Sequence, residues 1–116
     1  MESPVLSLTV ENIKKSKGFL MIAVRNEKGE DVKLEKVAVT NTPVQTVSIT
    51  LPSNGEYTIA MFHDVNSNGE LDKGMFGQPT EPYGFSNNAR ETFSEPSLED
   101  QKFTVNGNTS HSIKIK

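Results

Sequence analysis

The sequence contains no cysteine, which excludes disulfide bonds and thiol catalysis. It also lacks any run approaching the ~20 apolar residues that a transmembrane helix requires. Residues 1–4 show neither the basic region nor the apolar region of a secretory signal. We therefore expect a chain that does not span a membrane, and we expect any export signal to have been removed from it.

An excess of positive charge is missing as well. Twelve Lys and Arg residues stand against 15 Asp and Glu residues, so the net charge is -3. Binding to nucleic acid needs a basic stripe that neutralises phosphates, and this composition offers none. A length of 116 residues suits one domain, residues 1–116, with a single hydrophobic core. We expect it to be a monomer.

Apolar residues recur with a period of two, which is typical of half-buried strands. The runs that show this alternation are 6–10, 19–24, 37–39, 47–51, 57–62, 103–105 and 113–115. The run 19–24 is apolar at every position, which predicts a central strand. Asn106, Gly107 and Asn108 separate the last two runs and are a strong hairpin signal. The sequence thus predicts an all-β fold, a single antiparallel Greek-key β-sandwich of about seven strands.

Residues 63–100 show no such period and are far longer than the ~15 residues above which structureless loops become uncommon in compact domains. Apolar residues such as Tyr83, Phe85 and Leu98 would anchor this stretch, so disorder is disfavoured. We predict a long ordered loop before the last hairpin, folded as a cap over one end of the sandwich. Ser97 is predicted to cap a single helical turn.

The start of this stretch has the spacing of a calcium-binding loop, in which alternate oxygen-bearing side chains precede a glycine. Gly69 supplies the sharp turn. The predicted ligands are the oxygen-bearing residues of 64–72, namely Asp64, Asn66, Asn68, Glu70 and Asp72. The predicted cofactor is therefore calcium.

The twelfth position of the loop departs from this pattern, because Met75 stands where a bidentate glutamate normally closes the coordination sphere. Glu81, Glu99 and Asp100 are the nearest carboxylates that could replace it, and the sequence does not choose among them. With few ligand charges, the dissociation constant should be roughly 10⁻⁴ to 10⁻³ M. The alternative is a metal-free turn, since Asp, Asn, Ser and Gly are also common turn formers.

Three segments carry a resemblance to a known family. They are residues 62–72, residues 77–90 and residues 96–100, and the pairing of His63-Asp64 and its Asn-rich loop with Tyr83-Gly84-Phe85-Ser86-Asn87-Asn88-Ala89 is specific. Together with the strand layout, they resemble the bacterial family DUF2141 over nearly the whole chain. The resemblance implies a small exported β-domain of the bacterial envelope, periplasmic or extracellular. The resemblance does not indicate which biochemical activity, if any, the protein has.

The segment 83–90 suggests a recognition surface for a protein or carbohydrate ligand of the envelope. The candidate contact residues are two aromatics, two amides and one guanidinium, namely Tyr83, Phe85, Asn87, Asn88 and Arg90. In the alternative interpretation the aromatics fill the core, the amides hold turns by bonding backbone groups, and Arg90 pairs with a loop carboxylate.

Catalysis finds little support in the sequence, because no nucleophile elbow, phosphate cradle or metal-ligand spacing of histidines is present. A hydrolase centred on His63, with Ser86 and an aspartate, is the one enzymatic alternative. The main hypothesis is a non-catalytic binding or adhesion module of the envelope with a weak calcium loop at 64–72. The other is a purely structural protein-interaction domain without metal.

Overall fold

The computed structural model describes residues 3–69, 81–89 and 96–116, which form eight strands, one 3₁₀ turn and one helical turn. The elements are β1 (Val5–Glu11), β2 (Phe19–Asn26), β3 (Asp31–Ala38), β4 (Gln45–Thr50), β5 (Gly55–Asp64), β6 (Tyr83–Phe85), the 3₁₀ turn Ser86–Asn88, α1 (Leu98–Gln101), β7 (Phe103–Val105) and β8 (Thr109–Lys114). The prediction of an all-β fold is confirmed.

The strands form two sheets that share one core. A three-stranded sheet has the order β4-β1-β8, and a five-stranded sheet has the order β3-β2-β5-β6, with β7 also paired to β5. Alternate side chains of each strand point inward. The core includes residues of both sheets, among them Leu6, Leu8, Val10, Leu20, Ile22, Val24, Ile49, Ile59 and Ile113. The sandwich is confirmed, and its Greek-key connectivity stays a prediction.

Strand β2 is central, as its apolar sequence predicted. It lies between β3 and β5 and pairs antiparallel with both. Its inward residues Leu20, Ile22 and Val24 are buried in the core. Its outward residues Met21 and Ala23 are also apolar, which leaves a sheet face that differs from the usual polar outer face of an antiparallel sheet.

The predicted final hairpin is wrong. Strand β7 pairs with β5 in one sheet, whereas β8 pairs with β1 in the other. The turn at Gly107, with φ +73°, therefore carries the chain from sheet to sheet. The β1–β8 pair is also parallel, while the other pairs are antiparallel. A turn signal specifies where the chain reverses, but the packing of the whole domain decides which strands pair.

The predicted loop 63–100 contains a strand and the end of another. His63 and Asp64 still belong to β5, and β6 adds three residues to the edge of β5. Tyr83 and Lys116 donate backbone hydrogen bonds to each other, at 3.0 and 2.9 Å, so this edge also meets the end of the other sheet. Residues 70–80 and 90–95 lie outside the described residues, so the cap as a whole stays a prediction.

The predicted helical turn is confirmed. Ser97 is the N-cap of α1, and its hydroxyl accepts a hydrogen bond from the Asp100 amide at 3.2 Å. In the described part of the chain no helix is long and apolar enough to cross a membrane.

Candidate functional site

The predicted calcium-binding loop, residues 64–72, is called the acidic loop below. It begins where β5 ends, at Asp64. This side chain is fully buried. Its Oδ1 accepts a hydrogen bond from the Asn68 amide at 3.2 Å, and its Oδ2 accepts one from the Gly69 amide at 2.7 Å. The described part of the loop, residues 64–69, is thus folded around the Asp64 carboxylate. A carboxylate has about four lone-pair directions, so these two bonds leave acceptor capacity on both oxygens.

A second carboxylate reaches the same place from a distant part of the chain. Glu81 is 8% exposed, and its Oε2 accepts a hydrogen bond from the Val65 amide at 2.7 Å. Three carboxylates were candidates to complete the loop. Glu81 is the one that is hydrogen bonded to the start of the loop, at the Val65 amide. Glu99 instead lies on α1, where it pairs with Lys102 at 3.1 Å.

The turn at residues 17–18 holds the loop from the other side. The Lys17 carbonyl accepts a hydrogen bond from His63 Nε2 at 2.7 Å. Gly18 has φ +75°, and a β-carbon there would collide with the Asp64 carbonyl oxygen and lie 2.9 Å from Val65 Cα. Only glycine fits at this contact. The start of the loop is therefore fixed by β2, β5 and this turn together.

Three of the five predicted calcium ligands lie in the described chain. Asp64 and Asn66 both direct a side-chain oxygen at the Asn68 amide, at 3.2 Å each. Glu70 and Asp72 lie outside the described residues, as does Arg90. Within the described residues no three His, Cys, Asp or Glu side chains form a group that could hold a metal. The calcium assignment stays a prediction.

The amides of the predicted recognition segment bond to neighbouring backbone. Asn87 Nδ2 donates to the carbonyls of Asp100, at 3.1 Å, and Lys102, at 2.8 Å. Asn88 Oδ1 accepts from the Lys114 amide at 2.9 Å. Both asparagines have positive φ, a conformation that Asn tolerates better than most residues. These contacts are those of the structural interpretation, and a ligand-binding role stays a prediction.

The catalytic alternative requires His63 and Ser86 to act together. In the described residues, however, the side-chain hydrogen bonds of both run to backbone groups. His63 is buried and donates to Lys17. Ser86 Oγ accepts from the Ile59 amide at 2.9 Å and donates to the Gln101 carbonyl. Ser86 thereby fills the gap on β5 between its pairings with β6 and β7. Its hydroxyl is committed to structure on both sides.

The second histidine lies on β8. The His111 ring stacks on Phe103, with centroids 4.2 Å apart and planes at 12°. Its Nε2 accepts a hydrogen bond from the Asn87 amide at 3.2 Å. Burial lowers the pKa of His111 below its ordinary value, because it disfavours the charged form.

The outer face of the five-stranded sheet forms an apolar groove. Two rows of paired residues cross it, one of Leu34, Ala23, Ala60 and Phe85 and the next of Lys36, Met21, Phe62 and Tyr83. The two alanines make a low floor, and the Tyr83 and Phe85 rings, in edge-to-face contact at 5.9 Å, make one wall. Leu34 on the other wall is 69% exposed. The groove encloses about 400 Å³, within the range of small-molecule sites.

Three charged residues line the groove, and two of them have ionic partners. Arg25 contacts Asp31 at 3.1 Å, and Glu35 contacts Lys33 at 3.7 Å. Lys36 forms no ion pair within residues 3–69, 81–89 and 96–116. Its ammonium instead lies 4.4 Å from the centroid of the Phe19 ring.

The sequence pattern singled out Tyr83 and Phe85 but missed the other residues that line the groove, among them Met21, Ala23, Leu34, Ala60, Phe62 and Lys36. A signal was present, since β2 is apolar at both alternating sets of positions. It also missed Gly18, whose contact with Asp64 joins two distant parts of the sequence. A local pattern does not encode a contact of that kind.

Comparison with curated proteins and with solved structures gives no match. A family model described as an uncharacterized protein conserved in bacteria (DUF2141) matches residues 8–114. That range includes the acidic loop and the groove. The chain therefore belongs to the DUF2141 family.

Proposed function

We propose that this chain is a non-catalytic binding module of the bacterial envelope, with a calcium-binding loop at 64–72 and its binding surface on the outer face of the five-stranded sheet. The exposed apolar groove carries the proposal. An antiparallel sheet with a free outer face normally presents polar side chains there. Contiguous apolar surface on a soluble domain marks interaction sites.

The lining of the groove favours an apolar ligand over the carbohydrate or protein surface that the sequence suggests. Its floor and walls are aliphatic and aromatic side chains. The non-catalytic character is supported by Ser86 and His63, whose described hydrogen bonds are all to backbone groups.

Binding of the neutral fluorescent probe Nile red tests the groove. Ala60→Leu would fill the floor, and Leu34→Ser would remove an exposed wall with little effect on folding. Val44→Ser is a matched control, because Val44 is a 45% exposed apolar residue that does not line the groove. We expect saturable binding that the first two variants weaken severalfold and the control leaves unchanged. Equal binding by all four proteins would overturn the proposal.

Calcium binding is supported by the situation of Asp64. Its carboxylate is fully buried, yet within the described residues it has only backbone N–H partners and no ion pair. A buried carboxylate normally has a positively charged partner or a metal ion. A cation between Asp64 and the loop oxygens would supply that charge.

Thermal unfolding with and without millimolar calcium, after chelator treatment, tests the loop. For a dissociation constant near 10⁻⁴ to 10⁻³ M, calcium should add about 1 kcal/mol, or several degrees in Tm. Magnesium should do less. Asp64→Asn should abolish the shift, and Glu27→Gln, which removes one exposed charge elsewhere, should keep it. No shift in the wild-type protein would leave a metal-free turn as the correct interpretation.

A further inference from the structure

We propose that the groove binds a long-chain carboxylate as a monomer, with the acyl chain lying across the strands and the carboxylate at Lys36. This inference rests on the proposed function and names the chemistry of its ligand. It is built from the lining, the hydrogen-bonding state of the sheet and the charges at the rim.

The hydrogen bonds of the sheet favour an acyl chain over a peptide. In the groove, the backbone groups of β2 and β5 are used in the β3-β2-β5-β6 ladder. A peptide lying on this face would bury its own N–H and C=O groups without partners, at a cost of a few kcal/mol for each group. Peptides that bind sheets accordingly add to edges. An acyl chain has no such groups to satisfy.

The dimensions of the groove fit an extended chain. The row from Lys36 to Tyr83 crosses four strands. Neighbouring strands lie about 4.8 Å apart, so this row spans about 14 Å. The adjacent row has a low floor of Ala23 and Ala60 between Leu34 and the Phe85 ring, and a chain that starts at Lys36 can lie across the strands over this floor.

The rim charges favour an anionic head group. Of the charged residues that line the groove, Arg25 is paired with Asp31 and Glu35 is paired with Lys33. Both therefore already have a partner of opposite charge. Lys36 is exposed and has no carboxylate partner in the described residues, and Phe19 holds its ammonium at one end of the row. A ligand carboxylate placed there would complete the one unmatched charge among the described residues of the groove.

Displacement of Nile red by monomeric amphiphiles, below their critical micelle concentrations, tests the inference. We expect octanoate, decanoate and dodecanoate to bind in increasing order, by about fourfold for each added methylene. Dodecanol and dodecyltrimethylammonium should bind more weakly than dodecanoate. Lys36→Gln should weaken dodecanoate about two- to fivefold and leave dodecanol unchanged, while Lys14→Gln, an exposed lysine outside the groove, should have no effect on either.

Several outcomes would overturn the inference. If dodecanol and dodecanoate displace the probe equally, the ligand is apolar but not anionic, and the proposed binding function stands. Association with anionic vesicles without binding of monomeric dodecanoate would identify a membrane surface as the partner. A dimer that Leu34→Ser dissociates in sedimentation velocity would identify a second copy as the occupant. If Nile red itself fails to bind, both the inference and the proposed function are wrong.

Discussion

Gly18 lies directly against the backbone of Asp64, and a β-carbon at Gly18 would meet both the Asp64 carbonyl oxygen and Val65. This contact couples the turn before β2 to the first residue of the acidic loop. The loop therefore depends on a residue that lies far from it in sequence and carries no ligand atom in its side chain.

Gly18→Ala should destabilise the protein by about 2–4 kcal/mol, because it adds a backbone clash to the cost of a left-handed conformation. Gly107→Ala is the matched control. Gly107 has φ +73°, and a β-carbon added there would have no atom within 4 Å, so this variant should lose only about 1–2 kcal/mol. Urea unfolding measures both values. Equal losses would show that the contact with Asp64 relaxes without cost.

Ser86→Ala should destabilise the protein by about 2–3 kcal/mol. The change leaves the Ile59 amide and the Gln101 carbonyl without their hydrogen-bond partner in a buried position, and unsatisfied buried groups are costly. Ser110→Ala, at an exposed position on β8, should change the free energy of unfolding by less than about 0.5 kcal/mol. Chemical denaturation distinguishes the two. A loss below about 0.5 kcal/mol for Ser86→Ala would mean that water replaces the hydroxyl.

Asn87→Gly separates the two contributions of that residue. Glycine accepts the positive φ of 62° but lacks the amide that bonds to Asp100 and Lys102, so the loss should be about 1–2 kcal/mol. Asn87→Ala loses the same amide and strains the backbone as well, which should add about 1 kcal/mol. Unfolding midpoints give both values. If neither variant is destabilised, the Asn87 side-chain amide does not stabilise the fold and is available for a ligand.

The stability of the protein should fall as the pH drops below the ordinary His111 pKa of 6.5. The pKa of His111 is lowered in the folded state by burial, so the unfolded chain takes up a proton first. The contribution of His111 to the free energy of unfolding is complete above pH 6.5 and is lost as the pH falls through the lowered pKa of the folded state. Urea unfolding between about pH 5 and pH 7 measures this slope.

His111→Gln should reduce the slope, since glutamine does not titrate but can still accept a hydrogen bond from the Asn87 amide. An unchanged slope would assign the acid sensitivity to other groups.

Most of the longer strands could be predicted from sequence because apolar residues occupy every second, inward position. β6 could not, since three residues with Gly84 at the centre show no period. Gly84 is there for packing, because a β-carbon would lie 2.7 Å from Ile113 Cγ2. The partners of β7 and β8 were also beyond reach, because strand pairing between distant segments depends on which faces fit together.

The candidate site was predictable in part for the same reasons. The oxygen spacing of residues 64–72 predicted a calcium-binding loop, which stays a prediction. In the described residues the Asp64 carboxylate accepts hydrogen bonds from the Asn68 and Gly69 amides. Two contacts depend on how the strands pair, which local sequence does not specify. They are the hydrogen bond of Glu81 to Val65 and the contact of Lys36 with Phe19. Tyr83 and Phe85 were identified by composition, whereas the groove that they line exists only once β6 has joined β5.

The parallel pairing of β1 with β8 has a consequence for how the chain folds. Val5 and Asn108, which are hydrogen bonded at the start of this pair, are 103 positions apart. Contacts of such high contact order form late and slow folding, because a long loop must close before they contribute. During synthesis, β1 can pair with β4 but its other edge waits for β8 to leave the ribosome. We therefore expect folding to be completed only after translation of β8, and nascent chains that end before it to aggregate through the open edge of β1.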